Sequence, residues 1–229
     1  MHNNLLIKFP YIYFFFSKLR KKINYEKYLY LRNIKKGDIV LDIGANHGYY
    51  TSLFSEIISN SGQVHAFEPV PENFTKLKSL KPLNKNVIFN HLAIGKRNET
   101  GIIRYNLNDL EKASLIKCCN TNLIESETQI TTVDNYIKEY PLSNVNFIKC
   151  DVEGSELDVF TGSVETLKEF KPKLSIELTL NMNDTHELYH LLLSAGYRNF
   201  HKIEKGYPRF IIDKHHFKRE DYFYLYATS

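Results

Sequence analysis

From Asp38 onward, short runs of consecutive apolar residues alternate with longer stretches in which apolar positions return every three or four residues. The runs are DIVLDIG at Asp38, QVHAFE at Gln63, NVIFNHLAIG at Asn86, NVNFIKCD at Asn144 and KLSIEL at Lys173. Between them the spacing predicts helices from the end of the first run to Ser59, over residues 72–80, and across ELDVFTGSVETLKEF at residues 156–170. Strands that are apolar on successive positions need cover on both faces, and helices inserted between them supply it. The pattern therefore predicts a doubly wound α/β fold around a mostly parallel sheet. Residues 95–140 are more polar, and GIIRYNLN at Gly101 predicts an edge strand or hairpin laid over the sheet, where it would help shape a pocket. A helix over residues 184–195 capped by Gly196, then strands near residues 198–204 and 221–227, predict an antiparallel ending.

Composition narrows the class. With 229 residues, 43% of them hydrophobic and 24% charged, the chain has the usage of a globular protein that buries a core, which excludes a disordered or collagen-like chain. Glycine and proline are few, and no linker or fixed-period repeat divides the sequence, so residues 37–229 read as one domain behind an extension of residues 1–36. The net charge of +4 is an N-terminal feature: the first 36 residues carry nine Lys or Arg against one Glu, leaving −4 for the rest. A mildly acidic body argues against DNA as a partner and disfavours RNA. Three cysteines, two of them the neighbours Cys118 and Cys119, define neither a disulfide framework nor a zinc site and suit a cytoplasmic, reducing location.

Residues 5–16 form an apolar and aromatic run broken by Lys8 and Pro10 and followed by Lys18, Arg20, Lys21 and Lys22. The run is shorter than the roughly 20 residues that span a bilayer. Its charges also follow the apolar segment instead of preceding it, unlike an export signal. Two readings stay open: peripheral contact with an anionic membrane surface, or packing of the aromatics on the domain.

The candidate chemistry sits at the ends of strands. Asp42-Ile43-Gly44-Ala45-Asn46-His47-Gly48 stands where the first strand gives way to the first helix, and in open α/β sheets ligands lie beyond such carboxyl ends. Gly44 and Gly48 predict close approach of backbone to ligand, and the helix start offers N–H groups. The Asp42 carboxylate suits an ammonium or sulfonium and would repel a phosphate. Glu68-Pro69 ends the second strand, where an acid can accept hydrogen bonds from both ribose hydroxyls. The first loop lacks the G-x-G-x-x-G spacing of dinucleotide sites. The combination predicts an adenosyl ligand without pyrophosphate, a description that S-adenosylmethionine meets. Lys149-Cys150-Asp151-Val152-Glu153-Gly154 ends the fourth strand with three ionisable groups able to orient a hydroxyl, take its proton or hold a cation. Glu153 and Glu156 equally suit a helix N-terminus. Glu177, ending the fifth strand, faces either the same crevice or solvent. No metal site is assigned to Asp151, Glu153 and Glu177, whose spacing alone defines no cation geometry.

In order and spacing, VLDIGANHGYYT, FEPVPENF, TTVDNYI, FIKCDVEGSELDVFTG and LSIEL resemble the FkbM family of methyltransferases over residues 37–180. The resemblance implies a class I S-adenosylmethionine-dependent methyltransferase, with a Rossmann-like sheet of seven strands, the last antiparallel. It also implies O-methylation of a sugar, glycan or other natural-product hydroxyl, the acceptor being the expected partner. Position by position it implies a cofactor site of Asp42, Gly44, Ala45, Asn46, Gly48, Glu68, Pro69 and Asp151, with Ala93 near the adenine. Asp151 is the expected proton acceptor, with Lys149, Glu153 and Glu177 as its partners. His47 occupies a variable position at the rim. Cys150 stands where the family often has an aliphatic residue, and a buried cysteine serves as a small hydrophobe. A binding module without turnover and an RNA methyltransferase remain as alternatives, and residues 1–36 inherit nothing from the resemblance.

Overall fold

A computed structural model of the chain describes residues 24–81, 85–107, 109–115, 123–178, 182–204, 207–211 and 223–229. In chain order the first elements are α1 (Tyr25–Asn33), β1 (Ile39–Ile43), α2 (Tyr49–Ile58), β2 (Gln63–Phe67), α3 (Pro71–Lys78), β3 (Val87–Asn90), β4 (Ala93–Ile94), β5 (Glu99–Asn106), β6 (Asp109–Ser114) and β7 (Ile124–Thr131). They are followed by α4 (Val133–Glu139), β8 (Phe147–Cys150), α5 (Glu156–Thr161), α6 (Val164–Phe170), β9 (Lys173–Leu178), α7 (Met182–Ser194), β10 (Asn199–Glu204), β11 (Tyr207–Ile211) and β12 (Phe223–Thr228).

The main sheet runs β11-β10-β12-β9-β8-β1-β2-β3. Strands β3, β2, β1, β8 and β9 are parallel, and β12 enters antiparallel between β9 and β10. These are the seven strands expected, with the last inserted antiparallel as expected. An eighth strand, β11, folds back on β10 at the edge. Leu41, Ile43, Ile148, Cys150, Leu174 and Ile176 join one buried cluster with α4–α7, while Val40, Val64, Ala66 and Phe147 join another with α1–α3. Both faces of the central strands are thus dry, which is why their sequences lack polar alternation.

Three expectations need correction. The segment around Gly101 is more than an edge strand: β4, β7, β5 and β6 form a second sheet, whose Ile103 and Tyr105 bury against Val70. The stretch 156–170 is two helices, because the Asp134 carboxylate accepts the backbone N–H groups of Glu165 and Thr166 and so caps α6 from outside. The division at residue 37 also fails. Tyr30, Leu31 and Ile34 are buried in the cluster shared with α2, and α1, whose Asn24 side chain caps it through the Lys27 N–H at 2.8 Å, belongs to the fold. The apolar and basic run of residues 5–22 lies outside the described residues, as do Cys118 and Cys119. Among the described residues no helix is long and apolar enough to cross a membrane.

Candidate active site

The parallel register sets Asp42 beside Lys149 and Lys149 beside Ser175. Strand alternation turns this polar row away from the Leu41–Ile148–Ile176 side and toward α1 and α2, where Thr51 Oγ1 donates to Asp42 at 2.6 Å and the Tyr30 hydroxyl meets Ser175 Oγ at 3.2 Å. A buried charge is tolerated only with partners. Lys149, 3% exposed, pairs with Asp151 at 2.9 Å, and its ammonium lies 5.3 Å from the Tyr50 ring centre. Burial alone would lower its pKa, but Asp151, Asp42 and Glu26 outweigh burial and hold it well above the ordinary range.

Asp151 and Glu177 are a second pair. Burial pushes the Asp151 carboxyl up, but Lys149 and a hydrogen bond from Glu177 overcome it and leave its pKa below the usual value. Burial, reinforced by Asp151, pushes Glu177 up to about 9. At neutral pH the pair therefore shares one proton between the two carboxyls.

The loop after β1 is built to be rigid. The N–H groups of Gly44 and Ala45 both donate to the Phe67 carbonyl, at 3.0 and 2.9 Å, and Asn46 N–H donates to Glu68 Oε2 at 2.8 Å. These three N–H groups, which precede the start of α2, fasten the loop to β2. What the loop offers instead is acceptors. Asp42 Oδ1 and Asn46 Oδ1 are buried without a hydrogen-bond partner, and Asn46 is held at φ +50°. Two orphaned buried oxygens call for a ligand with donors, such as an ammonium or hydroxyls. Gly44 has φ +77°, and a Cβ there would lie 1.8 Å from the Asp151 carbonyl oxygen, so the β1 and β8 loops touch backbone to backbone. Glu68, also buried, accepts Val70 N–H on Oε1 at 2.9 Å, and burial raises its carboxyl to about 7.

All the residues expected in the site except Gly48 line a single cavity of about 400 Å³. Gly48 lies behind the wall as the N-cap of α2, where a Cβ would strike Leu77 and Leu80. His47 lines the cavity and approaches Lys76 Nζ at 3.2 Å. Glu153 lines it with φ +52°, a conformation a non-glycine residue holds only when its surroundings fix it. Sequence reasoning missed Tyr49 and Tyr50, although GYYT directly follows the loop and a helix's first turn faces the same crevice. The apolar wall of Ile103, Ala113 and Leu115 comes from the 95–140 segment that was expected to help shape a pocket, although none of these three residues was singled out. Among the described residues no three His, Cys, Asp or Glu side chains are grouped to hold a metal ion.

Comparison with known proteins agrees with this chemistry. The family described as "Methyltransferase FkbM domain" matches residues 42–199. The chain is 26% identical to hexuronic acid methyltransferase AglP of Haloferax volcanii over 144 residues, covering 61% of this chain and 56% of that protein. It is also 26% identical to 2-O-methyltransferase NoeI of Sinorhizobium fredii over 152 residues, covering 58% of this chain and 60% of that one. The chain thus spans less than two thirds of the length of these curated relatives. Among solved structures, methyltransferase FkbM from Methylobacillus flagellatus KT shares the fold, with a TM-score of 0.56 at 18% identity over 83% of this chain and 43% of the other. The family match spans both the loop at Asp42 and the acids ending β8 and β9, and the chain belongs to the FkbM family of S-adenosylmethionine-dependent methyltransferases.

Proposed function

We propose that this chain transfers the methyl group of S-adenosylmethionine to a hydroxyl oxygen of a sugar or sugar-like acceptor. One observation carries the reading: the loop of Asp42 and Asn46, the ribose-type acid Glu68 and the Asp151–Glu177 carboxyl pair all face one cavity. The orphaned Asp42 Oδ1 suits the ammonium of the cofactor, Glu68 its ribose hydroxyls, and Leu92, Ala93 and Ile94 an apolar wall for adenine. When bound, the cofactor supplies an electrophilic methyl on a sulfonium centre. The names of AglP and NoeI support a sugar-type acceptor and an oxygen target.

The chain's own share is alignment and proton transfer. Fixing two reactants in line is worth about 7–11 kcal/mol. A hydroxyl becomes acidic as its oxygen bonds to carbon, so the Asp151 carboxylate, although its pKa is lowered, is basic enough late in the transfer. The Asp151–Glu177 pair holds one proton at neutral pH and has room for the second. Incubating the protein with S-adenosylmethionine and a panel of hexuronic acids, hexoses and their oligosaccharides, and following S-adenosylhomocysteine release, tests the reading. Release with at least one sugar is expected, reduced about 10²- to 10⁴-fold in Asp151→Asn at saturating cofactor. Release with RNA and with none of the sugars would overturn the acceptor class, and normal turnover by Asp151→Asn would overturn the base.

A further inference from the structure

Glu26 lies on α1, ahead of residue 42 where the family match begins. It is buried at 8% exposure, and its two carboxylate oxygens accept the hydroxyls of Tyr30 and Tyr50. Tyr30 is a fully buried anchor, its ring edge-on to Phe54 and Phe147 at centroid distances of 5.0 and 5.7 Å. Tyr50 lines the cavity, and its ring lies beside the Lys149 ammonium that pairs with Asp151. An unbroken line of contacts therefore runs from α1 to the cavity wall: Glu26, Tyr50, Lys149, Asp151. An apolar side chain at residue 26 would hold α1 on the sheet without the desolvation that a buried carboxylate incurs, so packing alone does not account for the acid.

We propose that Glu26 is a positioning residue for the amino-acid end of the bound cofactor: it fixes the Tyr50 ring, which in turn fixes where Lys149 stands beside Asp42, the acid read above as taking the cofactor ammonium. The inference rests on the S-adenosylmethionine reading above. It assigns a role in the site to a helix that the family match does not include.

The test is calorimetric titration of the full chain, as wild type, Glu26→Gln, Tyr50→Phe and the double variant, with two probes. S-adenosylmethionine carries the amino-acid end, and methylthioadenosine keeps the adenosine and sulfur without it. Tyr50→Phe removes only a hydroxyl and keeps the fold if Glu26→Gln does not. Each single variant should weaken S-adenosylmethionine roughly 3- to 10-fold by loss of a hydrogen bond to a charged group. The double variant should weaken it no further, since both act through one line of contacts. Methylthioadenosine affinity should stay at the wild-type value, whereas a merely structural role would lower both affinities or only the melting temperature. Equal loss of both ligands, or unchanged S-adenosylmethionine binding by Tyr50→Phe, overturns the proposal while leaving the functional reading intact. A wild-type protein that binds neither probe overturns both.

Discussion

Replacing Gly44 with alanine probes how the cavity floor is assembled. A methyl group at that position would lie 1.8 Å from the Asp151 carbonyl oxygen and 2.8 Å from its carbonyl carbon, and neither is a side chain that can swing aside. Left-handed backbone costs a residue with a β-carbon about 1–2 kcal/mol. Forcing volume into a closed contact costs about 1–3 kcal/mol more, so Gly44→Ala should lose about 2–5 kcal/mol, part of the 5–15 kcal/mol typical of a domain. Gly37 is the matched control: its φ is +88°, yet the nearest atom to an added Cβ is 3.7 Å away, so Gly37→Ala carries the conformational cost alone. Denaturant titration of both variants and the wild type gives the free energies. Gly44→Ala should exceed Gly37→Ala by about 1–3 kcal/mol. It should also bind S-adenosylmethionine more weakly, because the clash is relieved only by parting the β1 and β8 loops. Equal losses in the two variants would refute the claim that these loops meet backbone to backbone.

Two further outcomes follow from the packing and the buried acids. A chain beginning at Gly37 loses the buried side chains of Tyr30, Leu31 and Ile34. At about 1.5–3 kcal/mol each that is comparable with the whole stability of a domain, so it should lack a cooperative thermal transition by circular dichroism. A normal transition would show that α1 is dispensable. Glu68, raised by burial from 4.5 to about 7, contributes stability that is full below pH 4.5 and is lost as pH rises through 7. Glu68→Gln removes that dependence. Its melting temperature should therefore gain on the wild type's across this window, and parallel melting profiles would contradict the burial argument.

The parallel half of the sheet was legible because β1, β2, β8 and β9 carry apolar residues on both faces, a pattern that two-sided burial explains. The acids at their carboxyl ends were legible for a related reason: a carboxylate ending a largely apolar parallel strand stands where such sheets bind ligands. Asp42, Glu68, Asp151 and Glu177 all face the cavity accordingly. Glu26 was not legible. It lies in a short, tyrosine-rich stretch beside a basic segment, and its meaning comes from Tyr50 and Lys149, which only the tertiary fold brings near it. Tyr30 likewise finds Ser175 across 145 positions of sequence. The fastening of the Gly44 and Ala45 N–H groups was not legible either, because their partner, the Phe67 carbonyl, is on a neighbouring strand. The second sheet escaped notice because its strands are half exposed and polar, so alternation was weak.

The central claim, that the cavity beyond β1 and β2 binds S-adenosylmethionine, is tested most directly by isothermal titration of the wild-type protein and of Asp42→Ala. Asp42 is wholly buried with Oδ1 lacking a hydrogen-bond partner, so under the proposed reading a cofactor ammonium would supply its donor. The account predicts saturable one-to-one binding by the wild type and at least a tenfold weaker affinity in a folded Asp42→Ala, the loss that about 1.4 kcal/mol from one charged hydrogen bond produces. A folded wild-type protein that takes up no S-adenosylmethionine, or an Asp42→Ala variant that binds it as tightly, would contradict it.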